Sequence, residues 1–199
     1  MSFASSATIK NDNTIVPGRY DSFQELAFYE RESLDYSIEV SYRPYSKILI
    51  MAPHGGTIEP GTSEIARLTA GMEMSLYCFE GKKDSSCRAL HITSRKFDEP
   101  QALDILKKVD LVVTIHGCNC HEEAIFLGGR HEGMKKLIAK SLSLAGYECQ
   151  LDNHKWPGVH QKNVCNGGQL GMGVQLEISN PFRSSDHWHG LALALRRVL

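Results

Sequence analysis

Apolar residues fall along this chain in three rhythms. The runs Ile48-Leu49-Ile50-Met51-Ala52 and Leu111-Val112-Val113-Thr114-Ile115 are short, continuous and rich in β-branched side chains. That is the pattern of strands buried on both faces of a parallel-type sheet. Residues 36–42 alternate instead, with Ile38, Val40 and Tyr42 on one side. So do residues 174–179, where Val174, Leu176 and Ile178 take one face and Gln175, Glu177 and Ser179 the other. Alternation predicts half-buried strands. Further strands are predicted over 124–127 and over 75–79 and 89–93, the last two in a hairpin around the polar stretch 80–86. The helical rhythm covers 22–31, 62–72 (stopped by Gly71), 100–108, 132–145 (ended by Gly146) and 186–199, with Leu191, Leu193, Leu195 and Val198 turned inward. Residues 1–20 read as a peripheral arm or first strand, and 152–172 as a long loop of the kind that is functional or mobile. The expected fold is a single α/β domain over 1–199. Its sheet is twisted, with mixed parallel and antiparallel strands and helices on both faces.

Composition adds exclusions. Of 199 residues, 42% are hydrophobic and 23% charged, with a net charge of −1. No global field draws this protein to nucleic acid or to an anionic membrane, so a polyanionic substrate needs local cationic contacts. The first residues lack the apolar centre of a signal peptide, and no apolar run reaches membrane-spanning length. A cytoplasmic monomer is expected, acting outside only after lysis. The six cysteines are then reduced by default, although Cys78 and Cys87 flank the polar stretch and can pair under oxidising conditions.

The candidate chemistry sits where the two continuous runs end. The first delivers His54-Gly55-Gly56-Thr57-Ile58-Glu59 and the second His116-Gly117. Open α/β sheets bind ligands beyond the carboxyl ends of their strands, so both imidazoles are expected at one edge. Two histidines and a carboxylate make a catalytic zinc set that leaves one coordination place open. Glu64 competes with Glu59 for the carboxylate place, but it falls in a first helical turn, where the helix dipole favours an acid regardless of function. Glu177, on the polar face of its strand, is placed to act as a general base. Taken singly, each histidine reads as a backbone-bonded turn residue and Glu177 as a solvent-facing one; the combination favours a metal site. Cys118, Cys120 and His121 crowd the second histidine, yet no second cysteine pair completes a structural zinc site. Cys118 as a nucleophile is a weaker option. Gly128-Gly129 resembles a phosphate loop only superficially. His187, Trp188 and His189 read as a packing cluster, and His154, Trp156 and His160 as the lining of a groove.

The strings His54-Gly55-Gly56-Thr57-Ile58-Glu59-Pro60-Gly61-Thr62-Ser63-Glu64, Thr114-Ile115-His116-Gly117 and Gly173-Val174-Gln175-Leu176-Glu177-Ile178-Ser179 together resemble the poly-γ-glutamate hydrolase family, over about residues 45–198. The resemblance implies a compact relative of the zinc carboxypeptidases, of the phosphorylase/hydrolase-like type, found in bacteriophages and bacilli. It implies one zinc ion on His54, Glu59 and His116 and a catalytic Glu177. The implied reaction is hydrolysis of the γ-glutamyl amide bonds of poly-γ-glutamate, within the chain. Each unit of that polymer keeps a free α-carboxylate beside the bond to be cut. Arg130 and Arg183 are candidate clamps for it, because a guanidinium fork matches a carboxylate. Asn163 and Asn166 are candidate hydrogen-bond donors to substrate. The loop Asn163-Val164-Cys165-Asn166-Gly167-Gly168 departs from the asparagine-arginine pair of carboxypeptidase-like enzymes. That departure keeps open a related zinc amidase or deacylase for another acylated amino acid or peptide. A non-catalytic binding module is the remaining reading, and the intact Glu177 argues against it.

Overall fold

A computed structural model describes residues 19–84 and 87–199. The strands are β1 (Tyr36–Ser41), β2 (Ile48–Gly56), β3 (Ser75–Gly81), β4 (Leu111–Cys118), β5 (Ile125–Gly128), β6 (Cys149–Gln150) and β7 (Val174–Ser179). The helices are α1 (Phe23–Tyr29), α2 (Thr62–Ala70), α3 (Pro100–Leu106), α4 (Glu132–Leu144), α5 (Asn180–Arg183) and α6 (Trp188–Arg196). All seven strands form one sheet in the order β1-β3-β2-β4-β7-β5-β6. Its centre, β3-β2-β4-β7, is parallel. On the flanks β1 pairs antiparallel with β3, and β5 pairs antiparallel with β7. The mixed sheet expected from the sequence is the one observed.

Alternation along the central strands divides the core in two. Ile50, Ala52, Leu76, Cys78, Val113, Ile115, Leu176 and Ile178 pack against α2, α4 and α6. Leu49, Met51, Tyr77, Phe79 and Val112 face the opposite way, onto α1 and α3 with Ile92 and Phe97. Helices therefore cover both faces, each through an apolar stripe. On the second face the apolar cover ends at Val112. Farther along the sheet that face carries Thr114, His116, Gln175 and Glu177, all buried.

Several expectations are corrected. Residues 89–93 do not form a strand. Leu90 and Ile92 are buried as an alternating pattern requires, but β3 already has β1 and β2 as neighbours and offers no free edge. The segment instead begins with a 3-10 turn over Cys87–Leu90. Cys78 and Cys87 are both free thiols, and the hairpin that would have brought them together is absent. β6 and α5 had no signal strong enough to predict them. The arm expected over 1–20 lies largely outside the described residues. Its last residue, Tyr20, is buried and donates to Glu30 Oε1 at 2.5 Å.

Candidate metal centre and cleft

In strict alternation His54 would share a face with Ile50 and Ala52 and point at α2. It does not, because β2 carries a bulge. Ala52 pairs with Cys78, yet Gly55 pairs with Glu80, so β2 spends three residues where β3 spends two. The extra residue falls at Pro53-His54, a position proline tolerates because it has no amide to donate. The bulge turns His54 onto the face of Met51 and His116 and returns Gly55 to the α2 side. A Cβ on Gly55 would meet Ser63 Oγ at 1.9 Å, so only glycine lets α2 approach there.

The chain then turns so that Glu59 N–H donates to His54 O at 2.9 Å. This brings the Glu59 carboxylate under both imidazoles. Glu59 Oε1 lies 3.2 Å from His54 Nδ1, and Oε2 accepts from Gly117 N–H at 2.8 Å. His116 Nδ1 stands 3.1 Å from His54 Nδ1 and 3.7 Å from Glu59 Oε2. His54 Nε2 is 2.7 Å from Ile92 O, which can only accept, so Nε2 carries a hydrogen and the neutral ring presents a bare Nδ1. Two ring nitrogens and a carboxylate thus converge on one point. This donor set suits a divalent cation of the zinc type, and it fits without rearrangement of the fold. Glu64 takes no part; it lies near Arg67 on α2.

A third histidine, not anticipated, completes the cluster. His91 stacks on His54 with ring centroids 3.8 Å apart, and its Nε2 is 3.7 Å from Glu59 Oε1. His54, Glu59 and His91 also form a compact group able to hold an ion. The close approach of the His54 imidazole, which opposes a second positive charge, and then burial push His91 down to about 3, so it stays neutral at physiological pH. Burial of Glu59 favours its neutral form, but His54 and His116 outweigh this and hold its carboxyl well below the usual range. The signal for His91 was present as a polar residue between two buried ones, but it was absorbed into a strand that has no edge to join.

Glu177 lies beside His116 in the β4–β7 register. Burial first, and then the Glu59 charge, push its carboxyl up to about 8. Arg183 is also buried. Its Nε donates to Ile178 O at 2.9 Å and its Nη1 to Pro60 O, and no carboxylate lies within ion-pair distance among the described residues. Trp188 Nε1 donates to Arg183 O at 2.8 Å and braces it. His54, Glu59, His91, His116, Glu177 and Arg183 line one cleft of about 820 Å³. Its walls bring in Arg88, Arg95, Lys155, Trp156, His160 and Asn163.

The other expected contacts resolve differently. Arg130 does not line this cleft and is exposed, with Nη1 3.3 Å from Gly171 O. The reason is strand direction. β5 runs antiparallel to β7, so its end at Gly128 pairs with Gln175 and delivers Arg130 away from the edge that carries His116. Gly128 and Gly129 are glycines for packing, since a Cβ on Gly128 would meet Trp156 O at 2.5 Å. Asn166 is fully engaged inside the protein. It accepts from Arg130 N–H and Gly173 N–H and donates to Gly158 O and His160 O. Asn163 does line the cleft, but its Nδ2 donates to Gln175 Oε1 at 2.8 Å. Of the expected groove residues, Trp156 and His160 line the cleft, whereas His154 turns its Nε2 to Leu127 O. Cys118 and Cys120 have sulfurs 3.9 Å apart, and burial, then Cys120, raises the Cys118 thiol, which is therefore protonated and a poor nucleophile.

A cluster of three histidines and a glutamate able to hold a cation, at the carboxyl edge of a mixed α/β sheet with a buried glutamate beside it, defines a candidate metallohydrolase. Comparison with known proteins makes this specific. The chain belongs to the poly-gamma-glutamate hydrolase family, whose profile matches residues 20–188. It is 40% identical over 177 residues to the SPbeta prophage-derived UPF0714 protein YoqZ of Bacillus subtilis, covering 87% of this chain and 63% of that protein. The chain therefore spans less than two thirds of that relative's length. The solved structure of a bacteriophage poly-gamma-glutamate hydrolase superposes with a TM-score of 0.87 at 28% identity, over 91% of this chain and 96% of that one. A zinc-free YndL structure superposes with a TM-score of 0.86 at 32% identity, over the same shares of the two chains.

Proposed function

We propose that this protein hydrolyses γ-glutamyl amide bonds within poly-γ-glutamate, using one zinc ion held by His54, Glu59 and His116, with Glu177 as general base. The observation that carries this reading is the convergence of His54 Nδ1, His116 Nδ1 and the Glu59 carboxylate beside a buried glutamate. His116 is preferred to His91 as the third ligand because its Nδ1 directly faces that of His54. A zinc ion there would polarise the scissile carbonyl and make a bound water acidic near neutral pH. The charge of the ion would also favour the ionised form of Glu177, which would accept the proton of the attacking water and return it to the departing nitrogen. Arg183 offers a guanidinium without a carboxylate partner to the negative charge that develops on the substrate or to its α-carboxylate. Arg88, Arg95 and Lys155 give the cleft local positive charge on a chain of net charge −1, which suits a polyanion.

Glu177→Gln tests the assignment directly. The expected result is zinc retained at one ion per chain by elemental analysis, with turnover of poly-γ-glutamate down by several orders of magnitude. Near-normal turnover would refute the base role. A zinc amidase acting on other acylated amino acids remains the second reading, because Asn166 and Arg130, two of the four expected substrate contacts, do not line the cleft. Release of fragments from poly-γ-glutamate, against release from N-acyl amino acids, separates the two.

A further inference from the structure

Gln175 is a side chain that nothing above uses, though it is buried and joined to the proposed base. Its Nε2 donates to Glu177 Oε1 at 2.8 Å, and its Oε1 accepts from Asn163 Nδ2 at 2.8 Å. Asn163, Gln175 and Glu177 are all buried. The direction of the chain is fixed chemically. Asn163 Oδ1 accepts from Cys165 N–H, so its NH₂ faces the Gln175 carbonyl, and Gln175 is left to present its own NH₂ to Glu177. Glu177 Oε2, in contrast, has no hydrogen bond within the protein among the described residues. One carboxylate oxygen is therefore tethered and the other is free to face the cleft.

The far end of this chain is anchored as well. Asn163 Oδ1 accepts from Cys165 N–H at 3.1 Å, and Asn166 ties Gly158 and His160 to the same loop. Gly158 has a φ of +62°, and a Cβ there would approach Gln175 Oε1 to 3.3 Å. The loop that walls the cleft is thus packed onto the amide that holds the base.

We infer that Asn163 and Gln175 form a positioning relay for the reaction. They fix the rotamer of Glu177 so that Oε2 meets the attacking water, and they link that rotamer to the seating of the loop 156–166. This inference rests on the assignment of Glu177 as base. Gln175 touches no reacting atom and acts through Glu177. Supporting groups of this kind are typically worth about 10- to 100-fold in activity.

The test is a double-mutant cycle on the zinc-loaded protein with poly-γ-glutamate as substrate. The four proteins are wild type, Gln175→Met, Glu177→Gln and the double mutant. Methionine keeps the length and volume of glutamine without its donor. Gln175→Met is expected to lower kcat about 10- to 100-fold with KM within about twofold, and to have no further effect once Glu177 is Gln. Gln175→Leu, which also lacks the donor but has a different shape, should lose kcat to a similar extent and guards against a folding defect peculiar to the methionine variant. Unchanged kcat in Gln175→Met overturns the relay while leaving the base role intact. An equal further loss in the Glu177→Gln background also overturns it, because it marks a merely structural role. Near-normal turnover of Glu177→Gln alone overturns the base assignment and the relay with it.

Discussion

Gly117 sits tight against the buried Arg183 guanidinium, and Gly117→Ala probes that contact. A Cβ at this position would stand 2.5 Å from Arg183 Cζ, 2.7 Å from Nη2 and 2.8 Å from Nε. The Gly117 N–H would still donate to Glu59, so the carboxylate keeps its backbone anchor. What must move is a buried guanidinium bonded to Ile178 O and Pro60 O. If the core absorbs the methyl by strain, overpacking costs about 1–3 kcal/mol. If Arg183 swings out, it gives up two charge-assisted bonds worth about 1.5–3 kcal/mol each. The two ranges, about 1–3 kcal/mol and about 3–6 kcal/mol, meet near 3 kcal/mol, and for a domain of this size about 2–4 °C of melting temperature follows each kcal/mol. Gly117→Ala should therefore melt about 6–12 °C below wild type. Zinc content should be unchanged and KM for poly-γ-glutamate raised. The decisive comparison is with Arg183→Ala. Once the guanidinium is gone the new methyl meets no clash, so Gly117→Ala/Arg183→Ala should match Arg183→Ala within about 0.5 kcal/mol. Full additivity of the two losses, or a Gly117→Ala protein that melts within a degree of wild type, would refute the packing argument.

Three further outcomes are expected. In the zinc-free protein the raised Glu177 carboxyl contributes stability that is fully present below its ordinary value of 4.5 and is lost as pH rises through about 8. Wild type should therefore lose melting temperature across that window relative to Glu177→Gln, and parallel melting curves for the two would show that Glu177 is not buried beside Glu59. Adding zinc to the stripped protein should raise the melting temperature, by an amount equivalent to about 4 kcal/mol at a thousandfold excess over Kd. Glu59→Gln should abolish most of that gain, and an undiminished shift would place the ion elsewhere. Replacing Arg88 and Lys155 together with alanine should raise KM about tenfold with little change in kcat, because exposed charges contribute up to about 1 kcal/mol each. A fall confined to kcat would remove them from substrate binding.

The chain announces its sheet more fully than its site. Continuous runs at 48–52 and 111–115 and the alternation at 174–179 mark central strands, because burial on two faces or one leaves a direct imprint on residue type. The residues His54, Glu59, His116 and Glu177 were legible for the same reason: each follows or interrupts such a run. The bulge at Pro53-His54 was not legible, because it depends on how β2 pairs with β3, and pairing is a long-range property. Without it, alternation would turn His54 toward α2 and away from His116. His91 escaped because Leu90-His91-Ile92 alternates like a strand, and only the filled edges of β3 show that it cannot be one. Arg130 and Asn166 were misplaced by a similar blindness. Nothing local tells that β5 runs against β7, or that Asn166 spends all its hydrogen bonds on the loop that contains it.

The most direct test of the account is the chain length of poly-γ-glutamate incubated with the purified protein, followed by viscosity and product size with zinc and with a chelator. The expected result is a rapid fall in viscosity with zinc, arrest by chelator, recovery when zinc is restored, and no fall at any zinc concentration with Glu177→Gln. Cleavage that persists in chelator, or an intact polymer beside a fully zinc-loaded wild-type protein, would contradict it.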